Sequence, residues 1–118
     1  MNTIRRIDSN AWPSRAVCCG DLVFLAGMTA DDVSQDVAGQ TEQVLAKIEG
    51  YLREAGSDKR MLLSAQIWLH DIGAWQAVTD VWCRWIDPGH PPARAVVGAT
   101  LDRGHLVEIM VTAARSPS

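Results

Sequence analysis

A long segment near the middle of the chain carries the clearest helical pattern. Between residues 38 and 55, apolar residues recur at spacings of one, three, four and three, at Val44, Leu45, Ile48, Leu52 and Ala55. These spacings put the side chains on one face of a helix with 3.6 residues per turn. Gly56, followed by Ser57 and Asp58, is a typical helix end.

A second helix is predicted over residues 73–86, "GAWQAVTDVWCRWI". Its apolar positions recur at spacings of three, four and three, at Trp75, Val78, Trp82 and Trp85. This pattern assigns three of the five Trp residues to one helical face, where they are expected to pack in the core or in an interface. The following "DPGHPP" has three prolines and a glycine, which end the helix.

Shorter segments predict six strands around the two helices. In residues 61–71, "MLLSAQIWLHD", apolar and polar side chains alternate, with Leu63, Ala65, Ile67 and Leu69 expected on one face. Gly20-Asp21 supplies a turn between two others. The remaining strands are predicted over residues 3–8, 16–19, 22–27, 93–99 and 105–114.

The element order is therefore β-β-β-α-β-α-β-β, which predicts an α+β fold of two layers. Each strand–helix–strand unit favours a parallel strand pair. Two helices cover one face of a mixed sheet, so the other face is expected to pack against copies of the same chain. In the last strand Val107, Ile109 and Val111 share one face. If these three pack on the helices, Glu108 points to the other side.

Two charged residues stand out in the last two strands. Arg94 is the one charge in "HPPARAVVGA", and Glu108 is the one charge in "LVEIMVTAA". Buried strands do not ordinarily carry isolated charges, because an unpaired buried charge is costly. The two residues indicate either a structural ion pair between neighbouring strands or a binding site.

Composition and charge exclude several classes of function. The 118 residues are enough for one domain, predicted to span 1–118. The net charge is −3 and the basic residues are scattered, which argues against a nucleic-acid partner. No apolar run is long enough to cross a membrane, and "MNTIRRIDSN" has no signal-peptide pattern, so a cytoplasmic location is expected.

The cysteines and histidines do not form a metal-binding pattern. Three Cys residues occur without a CxxC motif, and the three His residues are 20 and 15 positions apart. Buried thiols in a reducing compartment are the simpler interpretation. Cys18 has no adjacent base that would make it a nucleophile, and His105 is a weak candidate for the border of a cleft. No metal or cofactor is predicted.

Three segments resemble the RidA/YjgF family, once labelled L-PSP endoribonucleases. They are "GDLVFLAGM", "QTEQVLAKIEGYLREAGSDKRMLLSAQIWLHDIGAWQAVTDVWCRWI" and "HPPARAVVGATL…HLVEIMVTA". Together they cover nearly the full chain, and Pro-x-Arg followed by Val-Glu-Ile is the most specific part. "TIRRID" and "SRAVCCGDLVFLAG" are most similar to the YoaB-like branch of the family.

The resemblance implies a chorismate-mutase-like fold and a homotrimer, in which the sheets form a central barrel and three clefts lie between subunits. It also implies roles for Arg94, as the group that binds the carboxylate of a 2-imino or 2-enamino acid, and for Glu108, which would hold or activate the attacking water. A planar guanidinium suits a carboxylate because it donates two parallel hydrogen bonds. The products would be a 2-oxo acid and ammonia.

Several pocket positions depart from the pattern of RidA itself. Trp12 or Pro13 stands at the family's tyrosine, Ala26 at the serine before Gly27, and Thr79 at an asparagine on the second helix. Gly27 can still contribute its backbone amide, and Trp12 either walls the pocket or packs elsewhere. The two hypotheses are an enamine/imine deaminase and a non-catalytic trimer that binds small carboxylates. The ribonuclease label fits an acidic chain poorly.

Overall fold

The computed structural model describes residues 3–116 as one mixed sheet with two helices. The first two and last two residues of the predicted domain lie outside this range. The strands are ordered β1-β2-β3-β6-β4-β5 in the sheet. Their bounds are β1 Ile4–Ser9, β2 Ser14–Cys19, β3 Leu22–Leu25, β4 Leu62–Leu69, β5 Ala93–Gly98 and β6 Val107–Ala114, and the helices are α1 Val37–Glu54 and α2 Trp75–Trp85.

The pairing of the strands follows from the connections between them. β1, β2 and β3 form an antiparallel meander, and its second turn contains Gly20 with φ 61°, a backbone conformation that glycine adopts without strain. β4 and β5 are parallel, joined by α2, as strand–helix–strand units require. β6 closes the sheet between β3 and β4, antiparallel to both.

The core lies between the helices and one face of the sheet. Val107, Ile109 and Val111, predicted to share one face, are at most 2% exposed, and that face packs against the helices. The apolar face of α1 predicted from Val44 to Ala55 is buried as well. Asp36 caps the start of α1 by accepting a hydrogen bond from Gly39 N at 2.8 Å.

The opposite face of the sheet, called the open face below, carries no helix. Glu108 lies on it, as predicted, beside Trp68 of β4. The open face also exposes large apolar side chains, among them Phe24, Val97 and Met110, each more than 40% exposed in the single chain. A face of this kind is typical of a surface that packs against another chain.

Four details differ from the sequence prediction, and one is that Cys83 is exposed, whereas its thiol was expected to be buried. Leu63 is 48% exposed, because a register shift between Leu62 and Ser64 puts Leu62 in the core instead. Trp75 is 44% exposed, because it is the first residue of α2 and precedes the part of the helix that packs on the core. β5 and β6 are not neighbours, since β4 lies between them.

Candidate functional site

A cavity of about 550 Å³ opens beside Glu108 at one end of the sheet. It lies where the β1–β2 turn, the segment after β3 and the β5–β6 loop come together. Four of the predicted site residues, Trp12, Ala26, Gly27 and Glu108, line its wall. The other lining residues are Asn10, Pro13, Arg15, Thr29, Asp102, Arg103 and His105.

Glu108 and Gly27 are in close contact in this wall. A Cβ atom added at Gly27 would overlap Glu108 Oε2 and lie 3.1 Å from its carboxyl carbon. Two backbone hydrogen bonds hold the strands together here, from Met28 N to Ile109 O at 2.8 Å and from Ile109 N to Met28 O at 3.1 Å. Only glycine at position 27 therefore leaves room for the carboxylate where it lies.

The β1–β2 turn places an aromatic side chain at the mouth of the cavity. Trp12 is 90% exposed, which is unusual for so large an apolar group. Its backbone is fixed by hydrogen bonds from Trp12 N to Asn10 Oδ1 at 3.1 Å and from Asn10 N to Pro13 O at 3.0 Å. The ring does not pack in the core of the chain, and it is available to a ligand or to another subunit.

The β5–β6 loop forms another side of the cavity, and the buried side chain of Gln40 holds it in place. Gln40 Nε2 donates to Gly104 O at 3.1 Å, and Gln40 Oε1 accepts from Leu106 N at 2.9 Å. The loop turns through Arg103 and Gly104, which have φ of 54° and 82°. This turn presents Arg103 and His105 to the cavity.

Arg94 does not reach this cavity within one chain. It pairs with Ala65 in the parallel β4–β5 ladder, and Ala65 faces the helices. The guanidinium carbon of Arg94 lies 5.5 Å from the ring centroid of Trp82 on α2. Arg94 and Glu108 therefore point to opposite faces of the sheet, on strands about 10 Å apart across β4.

The predicted site residues thus form two groups. Trp12, Ala26, Gly27 and Glu108 surround the cavity, whereas Arg94 lies on the helix side of the edge strand. Thr79 is on α2, three residues before Trp82, and so shares the helix face that meets Arg94. An ion pair between Arg94 and Glu108, the structural alternative, does not occur among residues 3–116.

Comparison with known proteins decides the family. The model of the family Endoribonuclease L-PSP matches residues 3–115. The chain belongs to this family, also known by the names RidA, YjgF and RutC. A RutC family protein from Haemophilus ducreyi is 33% identical over 112 residues, covering 94% of this chain and 96% of that protein. RutC family protein YoaB from Escherichia coli is 34% identical, with 95% and 98% covered.

Solved structures of this RidA/YjgF family have the same fold. A member of the YjgF family from Neisseria meningitidis superposes with a TM-score of 0.92 and 39% identity, covering 98% of both chains. A protein from Pseudomonas aeruginosa gives a TM-score of 0.93 at 34% identity, covering 97% of this chain and all of that one.

A more distant relative in sequence is Reactive Intermediate Deaminase A from Arabidopsis thaliana. It is 32% identical over 88 residues, which cover 70% of this chain and 46% of that protein.

Five polar residues of the cavity were not predicted from the sequence of this RidA-family chain. They lie in turns or near strand ends, where alternation gives no direction for a side chain, and they are Asn10, Arg15, Thr29, Asp102 and Arg103. Arg15 is the one with a usable signal, because it is the second residue of β2 and lies two residues after Pro13, in the segment predicted to line the pocket. These residues supply polar groups to the same cavity in which Pro13 and Ala26 are apolar.

Arg15 and Thr29 also border a neighbouring cleft with its own polar contacts. There Tyr51 donates a hydrogen bond to Asp8, and this bond raises the pKa of the tyrosine. Tyr51 is therefore protonated at neutral pH and acts as a donor. Within residues 3–116, no three His, Cys, Asp or Glu side chains group as a metal ion requires.

Neither helix of the described chain combines the length and apolar character needed to cross a membrane.

Proposed function

We propose that the protein is a hydrolytic deaminase of reactive 2-imino and 2-enamino acids. Water adds to the imine carbon, the carbon–nitrogen bond breaks, and a 2-oxo acid and ammonia leave. Glu108 accepts a proton from the attacking water, and Arg94 binds the substrate carboxylate. The observation that carries the proposal is the Glu108 carboxylate in contact with Gly27 at a cavity wall, in a chain of this family whose Arg94 forms no ion pair within residues 3–116.

Glu108 has the surroundings that a water-activating carboxylate needs. It is half-buried at the cavity wall, and no Lys, Arg or His side chain of residues 3–116 lies within ion-pair distance of it. A carboxylate without a cationic partner keeps its lone pairs for water. The proposed reaction uses water and the chain's own side chains, without a cofactor.

The proposed site is completed by a second copy of the chain. Arg94 and Glu108 point to opposite faces of one sheet, so a single substrate does not reach both within one chain. In the proposed homotrimer the open faces line a central barrel, and the edge strand β5 of one subunit lies beside the cavity of the next, to which it brings Arg94 and Thr79. The exposed apolar side chains Phe24, Val97 and Met110 on the open face support this assembly. Cytoplasmic enzymes that release imino acids would supply the substrate.

The test measures the protection of imino acids from trapping. An amino-acid oxidase generates the imino acid, semicarbazide traps it, and the purified protein competes by hydrolysing it. The native protein is expected to suppress trapping, whereas Arg94→Ala and Glu108→Ala are each expected to lose this effect. Full suppression by either variant would contradict the role proposed for that residue.

Mixing the two inactive variants tests whether the site is shared. Unfolded together and refolded as mixed trimers, Arg94→Ala and Glu108→Ala chains are expected to regain about a quarter of the native activity, the fraction of interfaces with both intact residues. A site contained in one chain gives no recovery. Phe24→Asp on the open face is expected to yield monomers in sedimentation analysis, and to abolish activity with them.

A non-catalytic binder of small carboxylates is the second candidate. It is favoured by the apolar Pro13 and Ala26, which line the cavity at positions where RidA is polar. This candidate predicts that 2-oxo acids bind to the native protein and not to Arg94→Ala, with no suppression of trapping for apolar, polar or acidic imino acids. Calorimetric titration beside the trapping assay separates the two functions.

A further inference from the structure

The guanidinium of Arg94 contacts an aromatic ring instead of a carboxylate. Its Cζ atom lies 5.5 Å from the centroid of the Trp82 ring. Among the side-chain hydrogen bonds and ion pairs formed within residues 3–116, none involves Arg94. Within these residues the exposed Arg94 guanidinium therefore has the Trp82 ring as a neighbour and no hydrogen-bonding or ion-pair partner.

Trp82 is itself held firmly. It is 5% exposed on α2, and its ring lies 5.5 Å from that of Trp85 at an interplanar angle of 55°. Trp85 Nε1 donates a 2.7 Å hydrogen bond to Glu49 on α1. Lys59 Nζ lies over the Trp85 ring at 5.4 Å. These contacts connect both helices to the edge strand and leave Trp82 little freedom to turn.

Contact with a ring face and contact with a carboxylate use different parts of a guanidinium. The flat face is attracted to the ring, whereas the five N–H donors point outward in the guanidinium plane. A neighbouring Asp or Glu would occupy those donors, and a ligand carboxylate would then have to displace it. A tryptophan fixes the plane of the guanidinium and leaves its donors free.

We propose that Trp82 is a positioning residue that holds the Arg94 guanidinium in the plane needed for two-point binding of a substrate carboxylate. This inference rests on the proposed function, in which Arg94 binds that carboxylate. Because every 2-imino and 2-oxo acid carries the same carboxylate, the effect of Trp82 is independent of the substrate side chain. Loss of the ring is expected to raise KM by the same factor for apolar, polar and acidic substrates and to leave kcat nearly unchanged.

The test titrates 2-oxobutanoate into Trp82→Phe and Trp82→Leu, each made in the native and in the Arg94→Ala background. In the native background, Trp82→Leu is expected to weaken binding about fivefold, the size of an ordinary cation–π contact, and Trp82→Phe by less. In the Arg94→Ala background, neither change is expected to weaken binding further. Val78→Ala removes buried side-chain volume from the same helix. It is expected to lower the free energy of unfolding without weakening 2-oxobutanoate binding in a way that depends on Arg94.

The outcomes separate the inference from the function. Equal losses in both backgrounds, or no loss with Trp82→Leu, overturn the positioning role while the carboxylate role of Arg94 stands. If Arg94→Ala binds 2-oxobutanoate as tightly as the native protein, the proposed function is wrong at Arg94 and the inference falls with it.

A second measurement uses the native fold and covers the case in which Trp82→Leu does not fold. The Arg94 Hε resonance, assigned by its loss in Arg94→Lys, is expected to show the ring-current shift of a proton above an indole. A chemical shift equal to that of exposed arginines would refute the contact between the Arg94 guanidinium and the Trp82 ring.

Discussion

Gly27→Ala tests the contact between the glycine backbone and the Glu108 carboxylate. The added Cβ overlaps Oε2 of a flexible side chain, so Glu108 must retreat by about 1 Å to reach ordinary van der Waals separation. Because the neighbour that moves is the free end of a side chain, the free energy of unfolding is expected to fall by less than about 1 kcal/mol. A 1 Å displacement of a reacting group costs about 100-fold in rate, so kcat is expected to fall by about that factor.

The assays are the trapping competition for kcat and thermal unfolding for stability. Gly50→Ala is the matched control, because no atom lies within 4 Å of a Cβ placed there on α1. It is expected to raise stability by about 1 kcal/mol through helix propensity and to leave activity unchanged. In a Glu108→Ala background, Gly27→Ala is expected to have no further effect on kcat. A folded Gly27→Ala protein with native kcat would refute the reasoning that this glycine makes room for a catalytic carboxylate.

Three further predictions concern the support of the site and the stability of the fold. Gln40→Leu is expected to lower the free energy of unfolding by about 2–4 kcal/mol in denaturant titrations, because Leu106 N and Gly104 O lose their buried partner; an unchanged midpoint would contradict this. Asp36→Ala removes the cap of α1 and is expected to cost about 1 kcal/mol, whereas Asp36→Asn, the control, retains most of it. The hydrogen bond from Arg60 lowers the pKa of Asp58 below its ordinary value of 3.8. The stability advantage of the native protein over Asp58→Asn is therefore expected above about pH 4 and lost as pH falls through the folded-state pKa, and a pH-independent difference would exclude this linkage.

The sequence predicted the helices and the strand order along the chain because both depend on local periodicity. α1 and α2 lie within one or two residues of the predicted limits, and the position of Glu108 opposite Val107, Ile109 and Val111 followed from alternation alone. The register shift that turns Leu63 outward adds one residue to β4, which no alternating pattern reveals. The insertion of β6 between β3 and β4 depends on long-range pairing, so the separation of Arg94 from Glu108 was not predictable.

The candidate site was only partly predictable, because the contacts that build it join residues far apart in the chain. Glu108 was identified as an isolated charge in an apolar strand and Gly27 from a resemblance, and their contact became visible only in three dimensions. The β5–β6 loop could not be placed, because its conformation depends on Gln40, 63 residues before Arg103 in the chain. Trp82 was assigned to packing, and its contact with Arg94 depends on how α2 crosses the edge strand.

The division of Arg94 and Glu108 between the two sheet faces has a thermodynamic consequence. If a ligand must touch one residue from each of two chains, it binds the assembled protein and not the separate chain. Binding and assembly are then linked, so a 2-oxo acid at free concentration L multiplies the assembly constant by 1 + L/Kd for each site that assembly completes. The protein would sense its own concentration. On dilution, apparent ligand affinity declines before any chain unfolds, and added ligand restores the oligomer.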